Sequence, residues 1–386
     1  MHSAIPHENT HKHVRFGDIC RYVLGFAKKN AVLCIATICA ITTCFFVPPD
    51  KKYLSYFDLK TLTCLFCVLA VVCALRNIRF FTFLARKIVV LFKNTRASIL
   101  ALVYITFLGS MLIANDMALL TFLPLGYFVL STTGKKKYMA FTFIMQNISA
   151  NLGGMLTPFG NPQNLYLYTK FNIPTGEFIA TMLPPFCISV ALITICCLFV
   201  KKEPLVLEEG KITLPKWRTV IYLLLFALSI IIVFRLIPFW TGLIVIPIAL
   251  IFMDRKALLK VDYGLLLTFV MFFIFSGNMA RIPAIQSFFG SLMGKNPLLV
   301  SVLSCQIISN VPSSILLSQF TTNWRALLVG VNIGGVGTLI SSLASLITFR
   351  EYTSKTDGKA SKYILLFSAF NFGFLILLTI AQSFIL

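Results

Sequence analysis

Apolar runs of about 20 residues, separated by short polar and basic loops, recur from near residue 31 to the end of the chain. About 20 apolar residues in a helix cross a bilayer core roughly 30 Å thick, so the pattern predicts an all-α polytopic membrane protein. Spans are expected at about 31–48, 58–75, 177–200, 218–236, 238–253, 262–280 and 363–385. Between them the pattern changes in three ways. Arg76, Arg79, Arg86, Lys87, Lys93 and Arg96 interleave with Phe80, Phe81, Phe83, Leu84, Ile88, Val89 and Phe92, which reads as an interfacial amphipathic helix. Arg281–Lys295 reads as a second one, and an amphipathic piece is expected near Ile19–Phe26. Residues 97–131 and 297–321 each hold two apolar arms, meeting at Ala114-Asn115-Asp116 and at Ser309-Asn310-Val311-Pro312.

The third departure is the most informative. Asn147 to Asn164 lies in an apolar region yet is built from small polar residues, glycines and prolines. In lipid every freed N–H and C=O must find a partner, so such a run is costly without a purpose. Its core, Asn151-Leu152-Gly153-Gly154-Met155-Leu156-Thr157, returns as Asn332-Ile333-Gly334-Gly335-Val336-Gly337-Thr338. Residues 138–169 and 324–349 are therefore expected to be broken helices. Discontinuous helices in corresponding positions of two halves point to a transporter's binding site.

Composition agrees: 58% of the 386 residues are hydrophobic, 12% are charged, and the mean hydropathy is +0.87. The net charge of +21 could suggest nucleic acid, but the Lys and Arg residues fall in loops between spans. The positive-inside rule accounts for them and places the amino terminus in the cytoplasm and the carboxyl terminus outside. The expected location is the bacterial inner membrane. Arg96 and Lys135-Lys136-Lys137 put both ends of 97–131 inside, which favours a re-entrant hairpin, although a pair of full spans also fits its length. The organisation is then a cytoplasmic tail (1–30), a first repeat (31–200), a cytoplasmic linker (201–217), a connecting span (218–236) and a second, inverted repeat (237–386). Opposite topology of two halves is what alternating access about a central site requires.

Of thirteen acidic residues, Asp116 alone lies inside a long apolar region. A carboxylate there is expensive unless paired or hydrated, and burial favours its neutral form. A proton or Na⁺ is its natural partner; a hairpin cap is the other role open to it. Asn115 and Asn310 occupy the two tips, where an amide can satisfy the turn and still meet a ligand. Gly153-Gly154 and Gly334-Gly335 can expose backbone carbonyls to a cation, while half-helix N-termini favour an anion. Ser149, Asn151, Thr157, Asn161 and Asn164 supply side chains in the first copy, and Ser309, Asn332, Thr338, Ser341, Ser342 and Ser345 in the second. Close packing through small residues is the competing explanation for the glycines. All four histidines lie in the first 13 residues, so the spans hold one aspartate and no histidine, too little for an intramembrane enzyme. Cys64 and Cys67, in mid-span, read as packing residues. No metal site and no cofactor are expected; the partners are a small anion, the lipid bilayer and a second copy of the chain, and a channel stays open as the alternative of another class.

At these residues the chain resembles the ion transporter superfamily of arsenite permeases, citrate–metal and dicarboxylate transporters and sodium/proton antiporters. The resemblance rests on Ala114-Asn115-Asp116, Asn151–Asn164, Ser309-Asn310-Val311-Pro312 and Asn332–Ser345. It implies two inverted repeats, two re-entrant hairpins whose tips face broken helices, and dimers. The sodium–dicarboxylate branch resembles Ser-Asn-Thr at both tips, where this chain has Asp116 and Val311. An Asn-Asp tip is more similar to the arsenite, citrate–metal and antiporter branches. The function implied is H⁺- or Na⁺-coupled transport of a small anion, first a citrate-like carboxylate or its metal complex, with arsenite-type efflux and Na⁺/H⁺ exchange as alternatives.

Overall fold

A computed structural model describes residues 30–205, 213–356 and 360–386. The expected piece near Ile19–Phe26, the histidine-bearing tail, and Glu208, Glu209 and Lys211 lie outside the described residues. The described chain is all-helical.

The first half runs α1 (Ala31–Phe46), α2 (Leu59–Asn77), α3 (Phe80–Val90), α4 (Thr95–Ile113), α5 (Asn115–Thr132), α6 (Met139–Gly153), α7 (Pro162–Lys170) and α8 (Thr175–Leu198). After α9 (Lys216–Val233) come α10 (Phe239–Met253), α11 (Arg255–Leu259), α12 (Tyr263–Met279), α13 (Pro283–Lys295), α14 (Pro297–Ile308), α15 (Asn310–Leu317), α16 (Trp324–Ile333), α17 (Leu343–Lys355) and α18 (Ala360–Ser383). Asx residues begin many of these helices by accepting a bond from an N–H that has no intrahelical partner. Asp58 takes Thr61 N at 2.9 Å, Asn94 takes Ala97 N at 2.9 Å, Asp262 takes Leu265 N at 2.9 Å and Asn296 takes Leu299 N at 2.9 Å. That is why several of the scarce carboxylates sit at helix ends.

Helices α2, α4, α8, α9 and α18 are each long and apolar enough to cross a bilayer. Proline at 48 and 49 and an Asp50-capped 3₁₀ turn (Lys51–Tyr56) shorten α1 to 16 residues, and α10 has 15. Helix α13 turns through 98° from α12, so it lies across the direction of that span, as an interfacial helix would. Helix α1 packs on α12, and α2 on α9 and α10. Each first hairpin arm lies on a half-helix, α4 on α6 and α14 on α16; each second arm meets a half-helix of the other half, α5 with α17 and α15 with α7.

Both hairpins reverse through one backbone conformation. Ala114 has φ 61°, ψ 151° and Ser309 has φ 74°, ψ 160°. That region is almost confined to glycine and costs a residue with a Cβ on the order of 1–3 kcal/mol. The asparagine that follows ties the turn down in both: Asn115 Oδ1 accepts from Asp116 N at 3.0 Å and Asn310 Oδ1 from Val311 N at 2.9 Å.

Candidate functional site

The two tips and the two helix breaks meet in the buried interior. Asn115 Nδ2 donates to Asn151 Oδ1 (3.1 Å) and to Ser342 Oγ (3.5 Å), joining the first tip to both breaks. The second tip is held by Asn310 N and Ser309 Oγ, which donate to the Ser341 carbonyl at 3.0 and 3.2 Å. Across the middle, Asn332 Nδ2 donates to Asn164 Oδ1 at 2.6 Å and Asn161 Nδ2 to Asn332 Oδ1 at 3.5 Å. All eight of these asparagines and serines other than Ser309 are at most 4% exposed.

The carbonyls freed at each break are satisfied by a side-chain amide. In the first, Asn164 Nδ2 donates to the carbonyls of Gly154, Met155 and Thr157 at 3.1–3.2 Å. In the second the donor comes from the hairpin: Gln306 Nε2 reaches the carbonyls of Gly334 (2.9 Å) and Val336 (3.3 Å), and its Oε1 accepts from Thr338 N at 2.9 Å. Ser341 Oγ adds bonds to the carbonyls of Gly335 and Thr338. The two threonines act alike. Thr157 Oγ1 donates to Met111 O (2.8 Å) and Thr338 Oγ1 to Gln306 O (3.2 Å), in each case four residues before the tip asparagine.

The glycine pairs divide their work. A Cβ on Gly153 would stand 2.2 Å from the Phe107 carbonyl, and one on Gly334 would stand 2.8 Å from Cys305, so these two let the hairpin arm approach. The partner glycines face the polar centre: a Cβ on Gly154 would meet Asn161 Oδ1 at 2.6 Å, and one on Gly335 would meet Asn310 Nδ2 at 3.1 Å. Close packing therefore accounts for one glycine of each pair and the polar centre for the other.

The N-termini of α5, α7, α15 and α17 all start at this centre, at Asn115, Pro162, Asn310 and Leu343. Their dipoles favour negative charge. Against that stand acceptor atoms sealed from water and without a hydrogen bond, including Asp116 Oδ1, Ser149 Oγ and Asn161 Oδ1. Ser149 is buried but makes no side-chain bond to the tips or breaks. Among the described residues no three His, Cys, Asp or Glu side chains come together as a metal site would require.

A profile of the citrate transporter family, CitMHS, matches residues 23–323. The chain belongs to the citrate transporter family. The match takes in both hairpins and the first break and stops before the second break. An uncharacterized transporter of Methanocaldococcus jannaschii is 35% identical over 311 residues, 80% of this chain and 84% of the relative. The inner membrane protein YbiR of Escherichia coli is 29% identical over 320 residues, 79% and 83% of the two chains. A silicon efflux transporter of Oryza sativa subsp. japonica is 28% identical over 159 residues, 40% of this chain and 32% of that protein. This citrate transporter family member is thus a multi-pass membrane protein and a secondary transporter, not an enzyme.

Three contributors escaped the sequence reading of this family member. Gln306 is one; its only signal was an amide inside an apolar arm. Asn371 of α18 is another: it accepts from Asn147 Nδ2 at 3.3 Å, and the same amide reaches Ser345 Oγ at 3.3 Å, forming a second polar layer beneath the tips. The third is Arg76. Its place in a basic run suggested an interfacial helix, but it lies in the last turn of α2, with Nη1 3.4 Å from Sδ of Met117, the residue that follows Asp116 in sequence.

Proposed function

We propose that this protein is an H⁺- or Na⁺-coupled carrier of a small anion, a citrate-like di- or tricarboxylate or its metal complex, with Asp116 as the coupling group. The observation that carries this is Asp116 Oδ1, which is sealed from water and has no hydrogen-bond partner among the described residues, at a tip whose Asn115 amide bonds to both helix breaks. An unpaired buried acceptor costs about 1–3 kcal/mol, more when charged, and a proton or cation removes that cost. The four converging helix N-termini then favour the anion beside it.

We also read the halves as inverted repeats, with hairpin 97–131 entering from the cytoplasm and hairpin 297–321 from outside. Support comes from the shared turn at Ala114 and Ser309, the matched bonds of Thr157 and Thr338, and the reciprocal packing of α5 on α17 and α15 on α7. The basic residues at both ends of the first hairpin support that orientation.

In proteoliposomes loaded with a pH or Na⁺ gradient, wild-type protein is expected to accumulate citrate. Asp116→Asn should abolish gradient-driven uptake while eluting as a monodisperse folded species. Full uptake by the variant would remove the coupling role. A second substrate class, a neutral oxyacid such as arsenous or silicic acid, is favoured by the apolar Val311 at the second tip and belongs in the same assay. Arsenite transport without citrate transport would replace the carboxylate reading.

A further inference from the structure

At the base of the second hairpin lies a cavity of about 630 Å³, within the range that holds small ligands. Its walls include Lys170 at the end of α7, Gln286, Gly290 and Gly294 on one face of α13, and Gln319 and Thr321 where the hairpin leaves α15. Among the described residues no acidic side chain lines it, and none forms an ion pair with Lys170. One unneutralised ammonium among neutral amides and hydroxyls matches an anion with several oxygen acceptors.

The cavity is connected to the polar centre by two helices packed on each other. Helix α7 has nine residues, about 13 Å of rise, and runs from Asn161 at the centre to Lys170. Helix α15 has eight residues, about 12 Å, and runs from the Asn310 tip to Ser318 on the cavity wall. Between them the hydroxyls of Tyr166 and Ser318 meet at 2.8 Å, with the Tyr166 ring sealed among Phe269 and Phe273.

We propose that this cavity is an entry vestibule that binds a small carboxylate through Lys170 before it reaches the central site, with the Tyr166–Ser318 pair as its floor. The inference rests on the carboxylate reading above. In the proposed orientation the vestibule opens outside. Glycine at 290 and 294 keeps it open, since a Cβ at either position would meet nothing within 4 Å. A Cβ at either position therefore displaces no protein atom.

The test is citrate uptake into proteoliposomes of known sidedness. Lys170→Gln should raise KM about tenfold for citrate offered on the vestibule side, equivalent to ~1.4 kcal/mol. KM from the other side and kcat should stay within about twofold, and Lys170→Arg should restore most of the affinity. Gly294→Phe, monodisperse and with the wild-type melting temperature, should lower uptake from the vestibule side alone. Wild-type KM in both Lys170→Gln and Gly294→Phe would overturn the vestibule while leaving the transport reading intact. A wild-type protein that moves no carboxylate at all would overturn that reading and the vestibule with it.

Discussion

The two hairpins share a backbone and differ in nearly everything attached to it. Their tips have the same rare turn and the same asparagine clasp. Yet the first has arms of 19 and 18 residues and the second of 12 and 8. Asp116 follows the first tip asparagine and Val311 the second. The bases differ as well. The first is tied shut by the linker: Glu203 accepts from Lys135 Nζ and Lys137 Nζ at 2.6 Å, and its carbonyl accepts from Thr95 N at 2.8 Å. The second opens onto the Lys170 cavity. The contrast teaches that duplicated geometry and duplicated chemistry are separable. Two like turns bring polar tips to one centre, while the residue after each asparagine makes one tip acidic and leaves the other apolar.

The most damaging way to challenge that contrast is to make the tips alike. Val311→Asp would place a second carboxylate at the centre, where like charges in a poorly hydrated site oppose one another. Gradient-driven uptake is expected to fall at least about tenfold, the equivalent of ~1.4 kcal/mol or more. Unchanged uptake by a monodisperse Val311→Asp protein would show that the neutral second tip is not part of the mechanism.

How much of this was legible beforehand follows from which signals are local. The breaks were legible because Gly-Gly and Pro interrupt an apolar run, and the tips because Asn-Asp and Ser-Asn interrupt others. The caps at Asp58, Asp254 and Asp262 are just as local, each side chain accepting from an N–H three residues on. What was not legible depends on contacts far apart in sequence. No spacing rule says that Gln306 would take in the second copy the role Asn164 takes in the first, or that Arg76 would reach Met117. Nor does the Gly-Gly pair reveal which glycine packs and which faces the polar centre; that depends on where Phe107 and Cys305 fall.

That division supplies the next test. Gly153→Ala drives a Cβ toward a backbone carbonyl at 2.2 Å, whereas Gly334→Ala meets the Cys305 side chain and the Gly330 carbonyl no closer than 2.8 Å. Overpacking of this kind costs about 1–3 kcal/mol, and backbone yields less readily than a side chain. Gly153→Ala is expected to lower the melting temperature in detergent more than Gly334→Ala does. The reverse order would mean that the first hairpin arm is less firmly seated on α6 than the second is on α16.

The smallest effect concerns the two bases. The ammonium groups of Lys135 and Lys137 hold the Glu203 carboxyl down at about 2, below its ordinary value near 4.5, and Glu203 in turn raises Lys137. A carboxyl with a depressed folded-state pKa contributes stability that is fully present above its unfolded value and fades as pH falls toward the folded one. The contribution of the clasp is therefore expected at pH 7 and should decline between about 4.5 and 2. Both partners face water, so salt screens the pair. Glu203→Gln should lower the melting temperature slightly at pH 7 and low salt, and the difference should shrink in ~1 M salt and on acidification. A difference that survives both conditions would mean that uncharged hydrogen bonding to the Glu203 side chain, such as that from the Tyr138 hydroxyl at 3.1 Å, and not the charge, keeps the first base shut while the second stays open.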